Sequence, residues 1–158
     1  MAQNNKIKSK KERHKNVPAS YLVLFRDNKV LLLKRMNTGY EDGNYSMIAG
    51  HVDAGETFTE CIIREAKEEA GITLKQEDLR VVHVMHRDSG EMENNERIDV
   101  FFTAEKWDGE IENKEPHKCK DLSWFELDSL PENTVPHVRE VIQHIKDSRF
   151  YSEYGWKR

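Results

Sequence analysis

The sequence predicts one mixed α/β domain in which short strands and two amphipathic helices do not alternate in a regular βαβ pattern. Three observations carry that prediction. The chain has 158 residues, the size of a single domain. Its apolar runs are strand-sized, the longest being Val30 to Leu33. Two segments, 58–70 and 138–145, repeat their apolar residues at helical spacing.

Tyr21 to Phe25 and Lys29 to Lys34 are apolar runs joined by Asp27-Asn28, which is hairpin turn chemistry. Met36 to Asn44 is polar, holds Gly39 and Gly43, and reads as a loop. Tyr45 to Ile48 is a short strand, and Gly50 and Gly55 bracket a second loop. Thr57 and Glu60 have capping-box spacing ahead of a helix over 58–70, and Gly71 is a natural stop. Ile62, Ile63, Ala66 and Ala70 share one arc of that helix. Arg80 to His86 and Ile98 to Ala104 read as strands, with Arg87 to Arg97 an exposed loop between them. Leu122 to Leu127 reads as a further strand, in which Trp124 and Phe125 pack the core. Leu130 to Asn133 forms a turn with Asn133 as a candidate helix cap, and Val138, Val141, Ile142 and Ile145 mark the second helix. No internal repeat is present.

Charge divides the chain. There are 25 Lys+Arg against 29 Asp+Glu, a formal net charge of -4. Residues 1–17 hold six basic residues against Glu12 alone, so the remaining 141 are strongly acidic. The opening stretch is read as a mobile basic tail and residues 18–158 as the domain. The tail is either a solubilising appendage or a weak electrostatic foothold on RNA. The acidic remainder argues against a broad nucleic-acid-binding face, and suggests that an anionic substrate arrives with a metal cation. No apolar stretch nears the roughly 18 residues of a membrane span, and no signal-peptide core is visible. Cys61 and Cys119 give neither a Cys-x-x-Cys pair nor a disulfide framework, so a cytoplasmic setting is expected. Nothing activates either as a nucleophile, and both are read as structural.

The informative segment runs from Gly50 through Glu56 to Ile72. Glu65, Glu68 and Glu69 stand at i, i+3 and i+4, so their side chains converge on one helix face. Like charges at that spacing cost a helix a few tenths of a kcal/mol per pair, and a divalent cation removes the repulsion. Carboxylate oxygens suit Mg²⁺ or Mn²⁺ rather than zinc. Arg64 adjoins the cluster and can hold one carboxylate in place. On an arbitrary helix three glutamates are a solvated face; here a glycine loop, an acid before the helix and an arginine accompany them.

This segment resembles the signature of the Nudix hydrolase superfamily. That signature is Gly, five residues, Glu, seven residues, Arg-Glu, an aliphatic, any residue, Glu-Glu, any residue, Gly, aliphatic. Gly50, Glu56, Arg64, Glu65, Glu68, Glu69, Gly71 and Ile72 match it, with Ala66 standing where a larger aliphatic is usual. The order of elements extends the resemblance over roughly 18–147, in the MutT-type branch. It implies the Nudix fold, a mixed β-sheet sandwiched between α-helices, and hydrolysis of a nucleoside diphosphate linked to another group with Mg²⁺ or Mn²⁺.

Residue roles follow from the same resemblance. It makes Glu65, Glu68 and Glu69 metal ligands, joined by the backbone carbonyl of Ala49. Glu56 supports the metal or its waters, and Arg64 orients Glu65. Glu115 is nominated as general base, with Glu68 as the alternative and Glu112 close enough to be confused with it. Arg35 falls where a phosphate-contacting arginine is placed, the other reading being a surface arginine. His51 meets a phosphate or is simply exposed. Asn133 contacts the base or caps a helix, and Tyr45 is core rather than a stacking platform. The implied reaction releases a monophosphate and pyrophosphate from a nucleoside triphosphate. Alternatives are an RNA 5′ end, a nucleotide sugar or dinucleotide, and a nucleotide sensor without catalysis. A monomer or homodimer is expected, with no membrane partner.

Overall fold

A computed structural model describes residues 13–90 and 95–157. The chain runs β1 (Val17–Leu22), β2 (Phe25–Arg26), β3 (Lys29–Arg35), β4 (Tyr45–Ser46), β5 (Ile48–His51), α1 (Phe58–Ala70), β6 (Leu79–Asp88), β7 (Glu96–Ala104), β8 (Cys119–Glu126), α2 (Pro136–Lys146) and β9 (Tyr151–Tyr154). A single 3₁₀ turn, Gln76–Asp78, precedes β6.

The strands form two sheets. One has the order β5-β1-β7-β6-β9, with β1–β7 and β6–β9 parallel and the other pairs antiparallel. In the other, β8 pairs along β3 while β2 and β4 pair at its two ends. This mixed arrangement with two helices is the expected fold class.

Period-2 alternation then makes two cores. Leu22, Leu24, Leu31, Leu33, Val100 and Phe102 face α1 and pack with its Ile62, Ala66 and Ala70. Ala19, Tyr21, Val23, Val30, Leu32, Met85 and Phe101 take the opposite side and pack with Val138, Val141 and Ile142 of α2. Ile62 is fully buried, and truncation to Ala at such a site costs about 2–5 kcal/mol.

Helix α1 has the predicted bounds. The Thr57 side chain accepts from the Glu60 N–H, and Glu60 accepts from the Thr57 N–H at 2.8 Å. Gly71 closes the helix at φ 72°, a left-handed conformation that costs glycine nothing. The hairpin turn also forms, with Asp27 and Asn28 at φ 48° and 61°.

Several expectations need correction. Tyr21 to Phe25 is not one strand: β1 ends at Leu22, and buried Val23 and Leu24 carry the chain into the other sheet. Tyr45 to Ile48 likewise divides at buried Met47. An apolar run at a sheet-to-sheet crossing has the same composition as a continuous strand. The segment Arg87 to Arg97 is not an exposed loop at its ends, since β6 reaches Asp88 and β7 starts at Glu96. Cys119, expected in a loop ahead of the strand at Leu122, opens β8 and is buried. Asn133 caps no helix: α2 begins on Val135 without a side-chain cap, with Pro136 in its first turn, and Asn133 Nδ2 donates to the Gly43 carbonyl at 2.7 Å. Strand β9 was not foreseen. Of the tail, residues 1–12 lie outside the described residues, and Val17 already belongs to β1. Among the described residues no helix is long and apolar enough to cross a membrane.

Candidate active site

Helix α1 lies across the end of β5, and close contact there depends on one glycine. A Cβ on Gly50 would fall 1.9 Å from Glu65 Oε1, so the strand admits the glutamate only because the side chain is absent. One turn along, Glu69 Oε2 accepts from the Ala49 N–H at 3.0 Å. Glu65, Glu68 and Glu69 thus enter one cavity of about 430 Å³. Glu115, Arg35, Asn37, Thr38 and Lys118 line it too.

The loop after β7 brings Glu115 there. The last carbonyls of a helix lack intrahelical partners, and this loop supplies them. The Lys114 N–H donates to the Glu69 carbonyl and the Glu112 N–H to that of Ala70, both at 3.0 Å. Thr73 and Asp108 form a β-bridge beside them. Glu115 then pairs with Lys118 at 3.2 Å inside the cavity, while the Glu112 side chain pairs with Lys114 on the exposed side. The two acids that the sequence leaves interchangeable are thereby separated.

Arg64 organises the near wall. Its Nε and Nη2 donate to the two oxygens of Glu56 at 2.8 and 2.9 Å, and Nη1 donates to Glu65 Oε1 at 2.6 Å. Glu68 lies 3.5 Å away on the same guanidinium. This bidentate grip drops the Glu56 carboxyl to about 2. Glu56 stays with Arg64 and does not line the cavity, whereas Arg64 does hold Glu65.

The carboxylates inside behave oppositely. Burial, with Glu65 beside it, pushes Glu69 up to about 8. Glu65 is also raised, by burial, against the pull of Arg64. Hard oxygen donors crowded at a cost in free energy fit a divalent cation of the Mg²⁺ or Mn²⁺ kind. Among the described residues no three acidic, histidine or cysteine side chains already close on a common point. Exposed Glu68, paired with Arg64 at 3.5 Å, is the side chain that can complete such a set by turning from that contact.

A second cavity, of about 390 Å³, adjoins the first and shares Arg35, Thr38 and Ala49 with it. Tyr21, Tyr40, His51, Arg87 and Arg97 line the remainder. Arg35 is held at the junction, donating through Nε to the Tyr40 carbonyl at 2.7 Å and through Nη2 to Thr38 Oγ1 at 3.0 Å. Burial and the charge of Arg97 lower His51, so its imidazole faces the cavity largely neutral at pH 7. Asn133 lines neither cavity. Tyr45 packs with the α2 core and stacks edge-on against Phe125, as a core residue does.

Sequence reasoning missed Thr38, Tyr40, Arg87, Arg97 and Lys118. For Arg87 a signal was present: it continues the inward alternation of His83 and Met85.

The profile of the NUDIX domain family matches residues 15–145, and the chain belongs to that family. It is 31% identical over 130 residues to the NAD-capped RNA hydrolase NudC of Pseudomonas aeruginosa, a match covering 82% of this chain and 42% of that protein. It is 30% identical over 125 residues to the ADP-ribose pyrophosphatase of Methanocaldococcus jannaschii, covering 78% of this chain and 70% of that one. This chain therefore spans about two fifths of the length of NudC. Among solved structures, the MutT NUDIX hydrolase of Burkholderia pseudomallei superposes with a TM-score of 0.71 at 25% identity, over 82% of this chain and 97% of that one.

Proposed function

We propose that the chain is a Mg²⁺-dependent pyrophosphohydrolase, with Mn²⁺ as substitute, that cleaves a phosphoanhydride bond in a nucleoside diphosphate linked to a second group. The observation that carries the reading is the continuity of a carboxylate cavity with an arginine-lined one at Arg35 and Ala49. Two anionic phosphates cannot enter a space walled by four glutamates without a cation, whereas the neighbouring cavity welcomes the rest of a nucleotide. The names of the relatives at about 30% identity, an NAD-capped RNA hydrolase and an ADP-ribose pyrophosphatase, support a diphosphate with groups on both sides. A nucleoside triphosphate giving a monophosphate and pyrophosphate is the second reading, supported by the MutT structure.

In this reading Glu65, Glu68, Glu69 and the Ala49 carbonyl would hold the cation, which would supply charge neutralisation on the phosphates and a more acidic water. Glu65 is aimed by Arg64, and Arg64 is anchored by Glu56. Arg35 and Lys118 supply the cationic charge of the protein to the phosphates. Glu115 accepts the proton of the attacking water, with Glu68 as alternative. Water oxygen bonds to phosphorus, the bridging P–O bond breaks, and the leaving phosphate keeps the electron pair. His51 borders the substrate; Asn133 is left out, since its amide is committed to Gly43. The reading keeps a cytoplasmic setting, a monomer or homodimer, and the basic stretch 1–17, whose Val17 enters β1, as a segment with weak affinity for RNA.

The test is a product assay on ADP-ribose, NADH, NAD-capped RNA, triphosphorylated RNA, dinucleoside polyphosphates and nucleoside triphosphates, with Mg²⁺, Mn²⁺ or chelator. Mass spectrometry should find two monophosphate products from ADP-ribose or NADH, and none with chelator. Metal-dependent pyrophosphate release from triphosphates alone would install the second reading. No product from any compound would leave a nucleotide-binding domain.

A further inference from the structure

The second cavity carries more positive charge than a nucleoside requires. Among the described residues its lining includes Arg35, Arg87 and Arg97 and no Asp or Glu. Behind it lies one carboxylate, Asp99, with no solvent exposure. Arg87 Nε donates to Asp99 Oδ2 at 2.7 Å, and Arg97 Nε approaches Oδ1 at 3.5 Å. Each guanidinium thus uses its Nε on the shared carboxylate, and Arg87 Nη1 donates at 3.5 Å to the hydroxyl of Tyr40, itself a lining residue of the cavity. Two guanidinium groups on one carboxylate leave a formal charge of +1 in a place where the Arg87 side chain is only 3% exposed. A buried ion pair seldom outperforms an apolar pair in stability, and a surplus buried charge is worse. An anion arriving in the cavity would balance it.

The sheet fixes how far that anion sits from the scissile bond. The order β5-β1-β7-β6 places Ala49 and His51 on the first strand, Tyr21 on the second, Arg97 and Asp99 on the third and Arg87 on the fourth. Ala49, beside Glu69, marks the carboxylate end. Ala49 pairs in the row of Tyr21 and Phe101, whereas Arg97 and Arg87 pair in the row of Val17, four residues along. At about 4.8 Å per strand and about 3.3 Å per residue, their backbones lie roughly 16–20 Å from Ala49, a gap the long arginine side chains shorten. That separation exceeds the span of adjacent phosphates in one diphosphate. It matches a nucleoside placed over Tyr21 between two phosphate groups.

We infer that Arg87 and Arg97, braced on Asp99, form a distal anion subsite for a phosphate on the 2′ or 3′ oxygen of the substrate's ribose, one nucleoside away from the scissile phosphoanhydride. The inference rests on the functional reading above for the location of the scissile bond. A ribose phosphate has two sources, a free nucleotide bearing a phosphomonoester or the first internucleotide phosphodiester of an RNA. Planar guanidinium forks recognise the phosphate oxygens in both.

The test measures binding rather than turnover, so it survives failure of the hydrolase reading. Calorimetric titrations compare nucleoside 5′-monophosphates with the matching 2′,5′- and 3′,5′-bisphosphates and with the 5′-phosphorylated dinucleotide, for all four bases. At least one compound bearing the extra phosphate should bind about tenfold or more tightly than its monophosphate, a difference of about 1.4 kcal/mol. A preference for the bisphosphate identifies a free phosphomonoester as the source, and one for the dinucleotide identifies RNA. In Arg97→Gln the ratio should fall to about one, with Arg97→Lys between. Equal affinity for mono- and bisphosphorylated compounds in the unaltered protein overturns the inference, whether or not either variant folds. So does a preference that Arg97→Gln leaves intact in a folded protein.

Discussion

The two cavities meet at Arg35 yet are built in opposite ways. One crowds four carboxylates around a glycine contact, and burial together with the repulsion of Glu65 pushes Glu69 up to about 8. The other sets two arginines on a fully buried aspartate, and its charges attract. The first is stable in spite of its function-bearing groups, and a bound cation would relieve it. The second is stabilised by its internal pair and retains one surplus positive charge. A substrate with phosphates at one end and a nucleoside beyond them suits both at once, which neither does alone.

The sharpest way to break this contrast is Glu69→Gln. Metal-dependent turnover should fall on the order of 10³-fold, read as kcat at saturating Mg²⁺. Because the amide needs no proton uptake to stay neutral in this buried, acidic setting, the metal-free variant should melt at or above the temperature of the parent protein at neutral pH, and Mg²⁺ should no longer raise it. A variant that melted lower and stayed active would contradict the carboxylate account.

Asp99→Asn attacks the other side. Leaving two guanidinium groups without their carboxylate should cost about 3 kcal/mol or more, seen as a lower urea midpoint at unchanged slope. A neutral result would mean that the arginines are not held by Asp99.

Gly50→Ala should act on the carboxylate cavity through Glu65. The new Cβ would collide with Glu65, so kcat should drop about tenfold while the fold persists.

A smaller effect concerns pH. His137 packs edge-on to Tyr21 beneath the arginine cavity, and burial together with Arg87 and Arg97 pushes its imidazole from 6.5 down to about 3. The unfolded chain therefore takes up this proton first. The stability that neutral His137 contributes is complete above pH 6.5 and is lost as pH falls toward 3. Urea midpoints between pH 7 and pH 4 should decline, and decline less steeply in His137→Phe.

The same two cavities differ in how much the sequence discloses. Glu65, Glu68, Glu69, Arg64 and the Gly50 loop lie within one stretch, and helical period alone brings the three glutamates to a common face. The cap at Thr57 and the stop at Gly71 were legible for the same reason, being local chemistry. Arg87, Arg97 and Asp99 come together only through the register of β6 on β7 and of β7 on β1. A charged residue in a strand that alternates inward was the available clue, and it was outweighed by the polarity of the surrounding segment. Glu115 stood between these cases. Its position follows from a loop docking on the last carbonyls of α1, which no local pattern encodes.

The most direct measurement is Mn²⁺ titration of the ¹⁵N-labelled protein followed by amide line broadening, with Mg²⁺ as competitor. A cation held by the carboxylate cavity should first erase the signals of Ala49, Gly50, Glu65, Glu68, Glu69 and Glu115, and excess Mg²⁺ should restore them. Arg87 and Arg97 should broaden later, at higher Mn²⁺. Broadening that began elsewhere, or that Mg²⁺ failed to reverse, would contradict the assignment of this cavity as the centre of the chemistry.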